Sequence, residues 1–136
     1  MFRKFSEGFI TAIGTPLDES GEVMKESLEQ HVQDQVDNGI DGILCMGTMG
    51  MQPIVRATVF PQVAKTVADL DIEAPVMVGC MDNSIGRVKD RIRSLQDCDI
   101  DGIALTTPPL FRAISKGSPS FLVRDCRFLS VSRISV

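Results

Sequence analysis

Four short apolar runs recur along the chain: Phe9-Ile10-Thr11-Ala12-Ile13, Gly42-Ile43-Leu44-Cys45-Met46, Pro75-Val76-Met77-Val78-Gly79 and Gly102-Ile103-Ala104-Leu105-Thr106. They are continuous rather than alternating, the pattern of parallel strands buried on both faces. Their centres lie about 30 residues apart, the length of one βαβ step. Helical periods fill the gaps. Leu28, Val32 and Val36 repeat at i+4 with Ile40 next, and Gly39 is placed to end that helix. Val55, Val59, Val63 and Val67 form a second stripe. Pro61 interrupts it, so the helix is expected to start near that residue, where a first-turn proline is tolerated. Ile85, Val88, Ile92 and Leu95 form a third, with Asn83 or Ser84 as N-cap. Each stripe is expected to be core packing and carries no chemistry. A further role for Asn83, in an effector or subunit contact, stays open beside the cap.

An internal echo supports the scheme. Gly39-Ile40-Asp41-Gly42-Ile43 recurs loosely as Asp99-Ile100-Asp101-Gly102-Ile103, two βα steps later. In both places a helix is expected to end, a tight turn to follow and the next strand to begin. Strict alternation of strand and helix means an α/β fold with a parallel sheet and right-handed crossovers. It leaves open whether the sheet closes into a barrel. A barrel needs eight units and about 250 residues, and this chain of 136 residues offers four. On periodicity alone an open doubly wound sheet is the better reading.

Composition narrows the class. Hydrophobic residues make up 43 % of the chain and charged residues 24 %, which suits a folded globular domain and is too apolar for disorder. No apolar run is long enough to span a bilayer, so no membrane partner is expected. The first residues carry Arg3 and Lys4 with no long apolar run behind them, so a cytoplasmic location is expected. Cys45, Cys80, Cys98 and Cys126 form no C-x-x-C pair, and the one histidine is His31. Buried thiols are therefore expected, and neither a zinc site nor a disulfide framework.

The net charge of −4 argues against nucleic-acid binding, and it conceals a seam. Residues 1–111 carry a net −8 and residues 112–136 a net +4. The second stretch is rich in serine, with Ser115, Ser118, Ser120, Ser130, Ser132 and Ser135, and shows no helical period. Two regions are therefore expected: a folded part over 1–111, and an atypical basic tail over 112–136 that suggests a departure of reading frame near Phe111. The arginines of that tail, Arg124, Arg127 and Arg133, lack the aromatic interleaving of a nucleic-acid surface beyond Phe121 and Phe128.

In either architecture ligands meet the C-terminal ends of the strands. The segments there are Gly14-Thr15-Pro16-Leu17, Gly47-Thr48-Met49-Gly50-Met51, Gly79-Cys80-Met81-Asp82-Asn83 and Thr106-Thr107-Pro108-Pro109-Leu110-Phe111. The second is the most informative. Its glycines allow close backbone approach and can turn successive N–H groups towards one point, a nest that suits a carboxylate or phosphate. The Thr48 hydroxyl adds a donor and acceptor for relaying a proton. The plain alternative is a βα turn with glycines for geometry. The segment is not the dinucleotide fingerprint, and no P-loop lysine follows, so nucleotide binding is disfavoured.

Taken together, Gly14-Thr15-Pro16-Leu17 with Asp18-Glu19-Ser20-Gly21, Gly39-Ile40-Asp41-Gly42-Ile43, Gly47-Thr48-Met49-Gly50, Pro75-Val76-Met77-Val78-Gly79, and Asp101-Gly102 through Thr107-Pro108-Pro109 resemble the dihydrodipicolinate synthase and N-acetylneuraminate lyase family over residues 8–111. The resemblance implies a (β/α)8 TIM barrel, of which this chain would hold about four βα units, a truncated half. It also implies a lyase of the class I aldolase type: pyruvate forms a Schiff base with a lysine and then adds to, or leaves from, an aldehyde. No separate cofactor is implied. The family's G-T-T-G segment binds the pyruvate carboxylate and relays protons, a role that would fall here to Gly47, Thr48, Met49 and Gly50, with Thr48 as the catalytic hydroxyl.

Departures from the family pattern qualify this. Met49 stands where the family usually has a second threonine, and Met51 where it usually has a glutamate. Pro109, Leu110 and Phe111 replace a segment that commonly carries tyrosine, and the chain has none. A Schiff base needs a lysine whose pKa is depressed. Lys25, Lys65 and Lys89 fall in helical stretches, Lys4 precedes the first strand and Lys116 lies in the tail, so none fits. The expectation is a family member that binds a pyruvate-like 2-oxo acid without turning it over, and that self-associates through the strand-4 end and open sheet edges. The alternative is a non-catalytic small-molecule-binding or assembly protein built on an open α/β sheet.

Overall fold

The computed structural model describes residues 8–105. The strand-4 end from Thr106 to Phe111, the basic stretch 112–136, Lys4, Lys116 and Cys126 lie outside the described residues. Seven elements alternate without exception: β1 (Ile10–Ala12), α1 (Lys25–Asp37), β2 (Gly42–Cys45), α2 (Phe60–Ala68), β3 (Val76–Gly79), α3 (Ile85–Ser94) and β4 (Gly102–Ala104). Each strand falls inside its apolar run, trimmed by a residue or two. The second helix starts where Pro61 allows, with that proline in its first turn. Ser84, not Asn83, caps the third, its hydroxyl accepting from the Arg87 amide.

All strand pairs are parallel, and the sheet order is β1-β2-β3-β4. That order decides between the two architectures. A doubly wound sheet reverses its strand order once and so places helices on both faces. A sequential order with right-handed crossovers keeps every helix on one face, as in a rolling barrel wall. Periodicity alone favoured the open doubly wound sheet, and the strand order overturns that reading.

Packing agrees. Ile13, Ile43, Cys45, Val76, Val78 and Ile103 share one core cluster with Leu28 and Val32 of α1 and Val63, Ala64 and Val67 of α2. Register puts those strand residues on a common face, because Ile43 pairs with Val76, Cys45 with Val78, and Val78 with Ile103. The opposite face carries Ala12, Leu44, Met77 and Ala104, none of them in that cluster. It is the surface that lines the interior when such a wall closes.

The echo seen in sequence has a structural meaning. The Asp41 carboxylate accepts from the Phe9 amide at 2.6 Å while the Asp41 amide donates to the Phe9 carbonyl at 2.9 Å. Two steps on, Asp101 repeats both contacts with Val76, each at 2.9 Å. Each aspartate clamps the entry of the preceding strand, β1 or β3, to its own strand, closing a two-bond ring with a charge-assisted member.

The third stripe departs from expectation. Leu95 is buried just past the helix, but α3 itself has no buried residue and Ile85 is 73 % exposed. Among the described helices α3 makes its main contact with α2. The thiols follow expectation in part. Cys45 and Cys80 are buried free thiols and Cys98 is half-buried. Burial pushes the Cys45 and Cys80 thiols up to about 12, so almost no reactive thiolate exists near neutral pH.

Candidate functional site

Three described strand ends converge on one corner. Residues 47–50 form the turn after β2, folded back by Met51 N–H donating to the Thr48 carbonyl at 3.1 Å and Gln52 N–H to the Gly47 carbonyl at 3.5 Å. The amides of Thr48, Met49 and Gly50 donate to no group among the described residues. Thr48 and Met49 are exposed, while Gly47 and Gly50 are buried.

The backbone achieves this turn in a way the sequence does not announce. The residues with positive φ are Met46 (55°) and Met51 (54°), one at each end of the turn, rather than its glycines. A side chain in the left-handed region is disfavoured by about 1–2 kcal/mol and persists only where its surroundings hold it. Gly50 serves a different need. A Cβ there would sit 3.0 Å from the Met46 Cα and N and 3.2 Å from the Gly47 N, so glycine lets the turn close on its own start. Its role is self-packing.

The neighbouring loops hold the turn in place. Thr15, at the end of β1, is 3 % exposed, and its hydroxyl donates to the Gly50 carbonyl at 2.7 Å. From the other side, buried Gln52 donates through Nε2 to the Met81 carbonyl at 2.6 Å. Arg91 of α3 also donates to that carbonyl, lies 5.6 Å from the Phe60 ring centroid and pairs with Asp82 at 3.1 Å. Asp82 accepts from Arg87 Nε at 2.8 Å and from the Ser84 amide at 2.9 Å. Hydrogen bonding from Arg87, ahead of the Ser84 amide and the Arg91 charge, holds its carboxyl down at about 2, against the opposing effect of desolvation.

The four residues singled out in sequence, Gly47, Thr48, Met49 and Gly50, are thus one turn at the strand ends. Met49 and Met51 are exposed, at 68 % and 39 %. With Gly14, Thr15, Pro16, Ser27 and His31 they line an open groove of about 370 Å³ between the first loop and α1. The described lysines are elsewhere. Lys25 pairs with Glu29 at 3.6 Å and Lys65 with Asp69 at 3.0 Å along their own helices, and Lys89 is exposed on α3. The Asp69 hydrogen bond raises the Lys65 pKa, the opposite of what an amine nucleophile requires. Sequence reasoning missed Gln52 and Arg91 and gave Thr15 no role. No local pattern marks these three, because their partners lie 10 to 35 residues away in sequence.

Among the described residues no helix is long and apolar enough to cross a membrane, and no group of three or more His, Cys, Asp or Glu could hold a metal ion.

Comparison with known proteins gives a consistent result. Residues 5–120 match the model of the dihydrodipicolinate synthetase family. The 4-hydroxy-tetrahydrodipicolinate synthase of Thermotoga neapolitana is 33 % identical over 109 residues, covering 79 % of this chain and 35 % of that protein. The 2-dehydro-3-deoxy-phosphogluconate/2-dehydro-3-deoxy-6-phosphogalactonate aldolase of Sulfurisphaera tokodaii is 32 % identical over 102 residues, covering 75 % of this chain and 34 % of that one. Among solved structures, the chloride-inhibited dihydrodipicolinate synthase of Acinetobacter baumannii, complexed with pyruvate, superposes with a TM-score of 0.68 at 28 % identity, covering 74 % of this chain and 35 % of that one. The chain therefore spans about a third of the length of the curated relatives it matches.

Proposed function

Because this chain belongs to the dihydrodipicolinate synthetase family, we propose that its 47–50 turn is a cradle for the carboxylate of a pyruvate-like 2-oxo acid. The observation that carries this reading is the run of three amides, at Thr48, Met49 and Gly50, that donate to no group among the described residues. They sit in a turn that Thr15 and Gln52 brace from both sides. Successive backbone N–H groups of this kind form a concavity of positive potential, matched to a carboxylate and indifferent to the side chain at position 49. The pyruvate seen with the Acinetobacter baumannii enzyme supports the ligand class. Thr48 adds the exposed hydroxyl, which would donate to the carboxylate or to a proton in transit.

Aldol chemistry of the family type asks for more than a cradle. The proton path through a second hydroxyl cannot pass Met49, and no described lysine lies at the strand ends. We therefore read this chain as binding the acid without converting it. Titration of the ¹⁵N-labelled chain with sodium pyruvate is expected to shift the Thr48, Met49 and Gly50 amides together, with a dissociation constant of about millimolar order. Thr48→Val is expected to weaken binding about three- to tenfold through the loss of one charge-assisted hydrogen bond. Shifts scattered over the surface, or none, would remove the cradle.

Self-association belongs to the same reading. Among the described residues β1 and β4 are the two sheet edges, and the β1 edge exposes Phe9 (70 %) and Ile10 (41 %). Open, apolar, parallel edges recruit further strands. Light scattering is expected to give a mass above one chain that falls on dilution. A strictly monomeric mass at every concentration would contradict this.

A further inference from the structure

Gln52 has no part in binding a carboxylate directly, yet it is 1 % exposed in a position that begins an exposed loop. A polar side chain is buried that deeply only when a partner satisfies it. Its partner is the Met81 carbonyl, 29 residues away on the loop after β3, at 2.6 Å. That carbonyl also accepts from Arg91, whose guanidinium is fixed by Asp82 on one side and by the Phe60 ring on the other. The anchor is thus rigid: one carbonyl, two donors and an ion pair whose side chains are only 14 % and 10 % exposed.

The residue before Gln52 is Met51, held at φ 54°. A methionine has no intrinsic reason to occupy the left-handed region, so something beyond the turn must impose it. Gln52 is covalently next to it, and its side chain is tied to the anchor. We infer that Gln52 is a positioning residue. By bolting the exit of the turn to the strand-3 loop it holds Met51 left-handed and keeps the amides of residues 48–50 directed at one point. Thr15 does the same for Gly50 from the strand-1 side, so the cradle is clamped between two loops that it does not itself contain.

This rests on the carboxylate-cradle reading, and the experiment separates the two. Gln52→Met keeps length and apolar volume but removes the donor, leaving Met81 its bond from Arg91. In the full 136-residue chain two quantities are measured: amide hydrogen exchange at residues 51 and 52, with Val78 in β3 as internal reference, and the pyruvate dissociation constant. The substitution is expected to speed exchange at Met51 and Gln52, whose amides donate to Thr48 and Gly47, about tenfold or more and to raise the dissociation constant about tenfold, the scale of one lost hydrogen bond. Exchange at Val78 and the melting temperature are expected to hold, which separates positioning from a general loss of structure. Gln52→Asn, which keeps the carboxamide but withdraws it by one methylene, is expected to give the same direction and serves if Gln52→Met does not fold. Faster exchange at 51 and 52 with no pyruvate binding even by the unsubstituted chain would support the positioning role and overturn the cradle. Unchanged exchange at 51 and 52 would overturn the positioning role whatever pyruvate does.

Discussion

Borohydride reduction of the 136-residue chain in saturating pyruvate is expected to leave its mass unchanged. A class I aldolase step needs a neutral amine at the reacting carbon, so the lysine must be buried or flanked by positive charge to shed its proton near neutral pH. None of the described lysines is placed that way. Lys25 and Lys65 each pair with a carboxylate one helical turn along, Asp69 raises the Lys65 pKa, and Lys89 is exposed among the arginines of α3. All three project from the helical layer, whereas the cradle sits at the strand ends. The effect expected is all or none. An adduct mapped by peptide mass to any lysine would sink the reading of binding without conversion. One mapped to Lys4 or Lys116 would place the nucleophile outside the described residues.

That expectation rests on residues that were plain in the sequence, and much else was equally plain. Continuous runs such as Val76-Met77-Val78 declared buried parallel strands because both faces of such a strand are covered. Pro61 marked the start of α2 because a proline is accommodated only in a first turn. Strand order was not legible. The same periodicity serves a rolled and a doubly wound sheet, and only the pairing of β1 with β2 and β2 with β3 tells them apart. The Asp41 and Asp101 echo was visible as a repeat, but its clamp reaches a strand 25 or 32 residues back, a distance no local pattern reports.

The site was legible in the same uneven way. Residues 47–50 were found because glycines around a Thr-x pair are unusual after a buried strand. What shapes the turn was hidden, since propensity assigns positive φ to glycine and the structure assigns it to Met46 and Met51. The supports, Thr15, Gln52 and Arg91, act through contacts 35, 29 and 10 residues apart in sequence. Each looks ordinary in its own neighbourhood. Only their convergence on Gly50 and Met81 gives them a role.

Gly79→Ala is expected to be the most damaging small substitution in the described part of the chain. A Cβ at Gly79 would lie 2.4 Å from the Met46 carbonyl oxygen and 3.0 Å from its carbon. Both are backbone atoms at the end of β2, so no rotamer change relieves the clash. Nor can β3 easily retreat, because Gly79 pairs with Ala104 on β4 and the Cys80 amide donates to the Ala104 carbonyl at 3.0 Å. The remaining outlet is Met46 itself, which is left-handed, buried and contacted by the Thr15 hydroxyl through its sulfur. Displacing it disturbs the start of the 47–50 turn. Overpacking against fixed backbone is expected to remove about 3 kcal/mol or more, a drop in melting temperature of more than about 10 °C for a domain of this size. Gly14→Ala is the matched control, since nothing lies within 4 Å of a Cβ there, and it is expected to stay within about 0.5 kcal/mol of the parent chain. Equal melting temperatures for the two variants would show that β2 and β3 do not approach as closely as the geometry says. A large loss confined to Gly79→Ala would tie the stability of the sheet to the backbone contact that also sets the entry of the cradle.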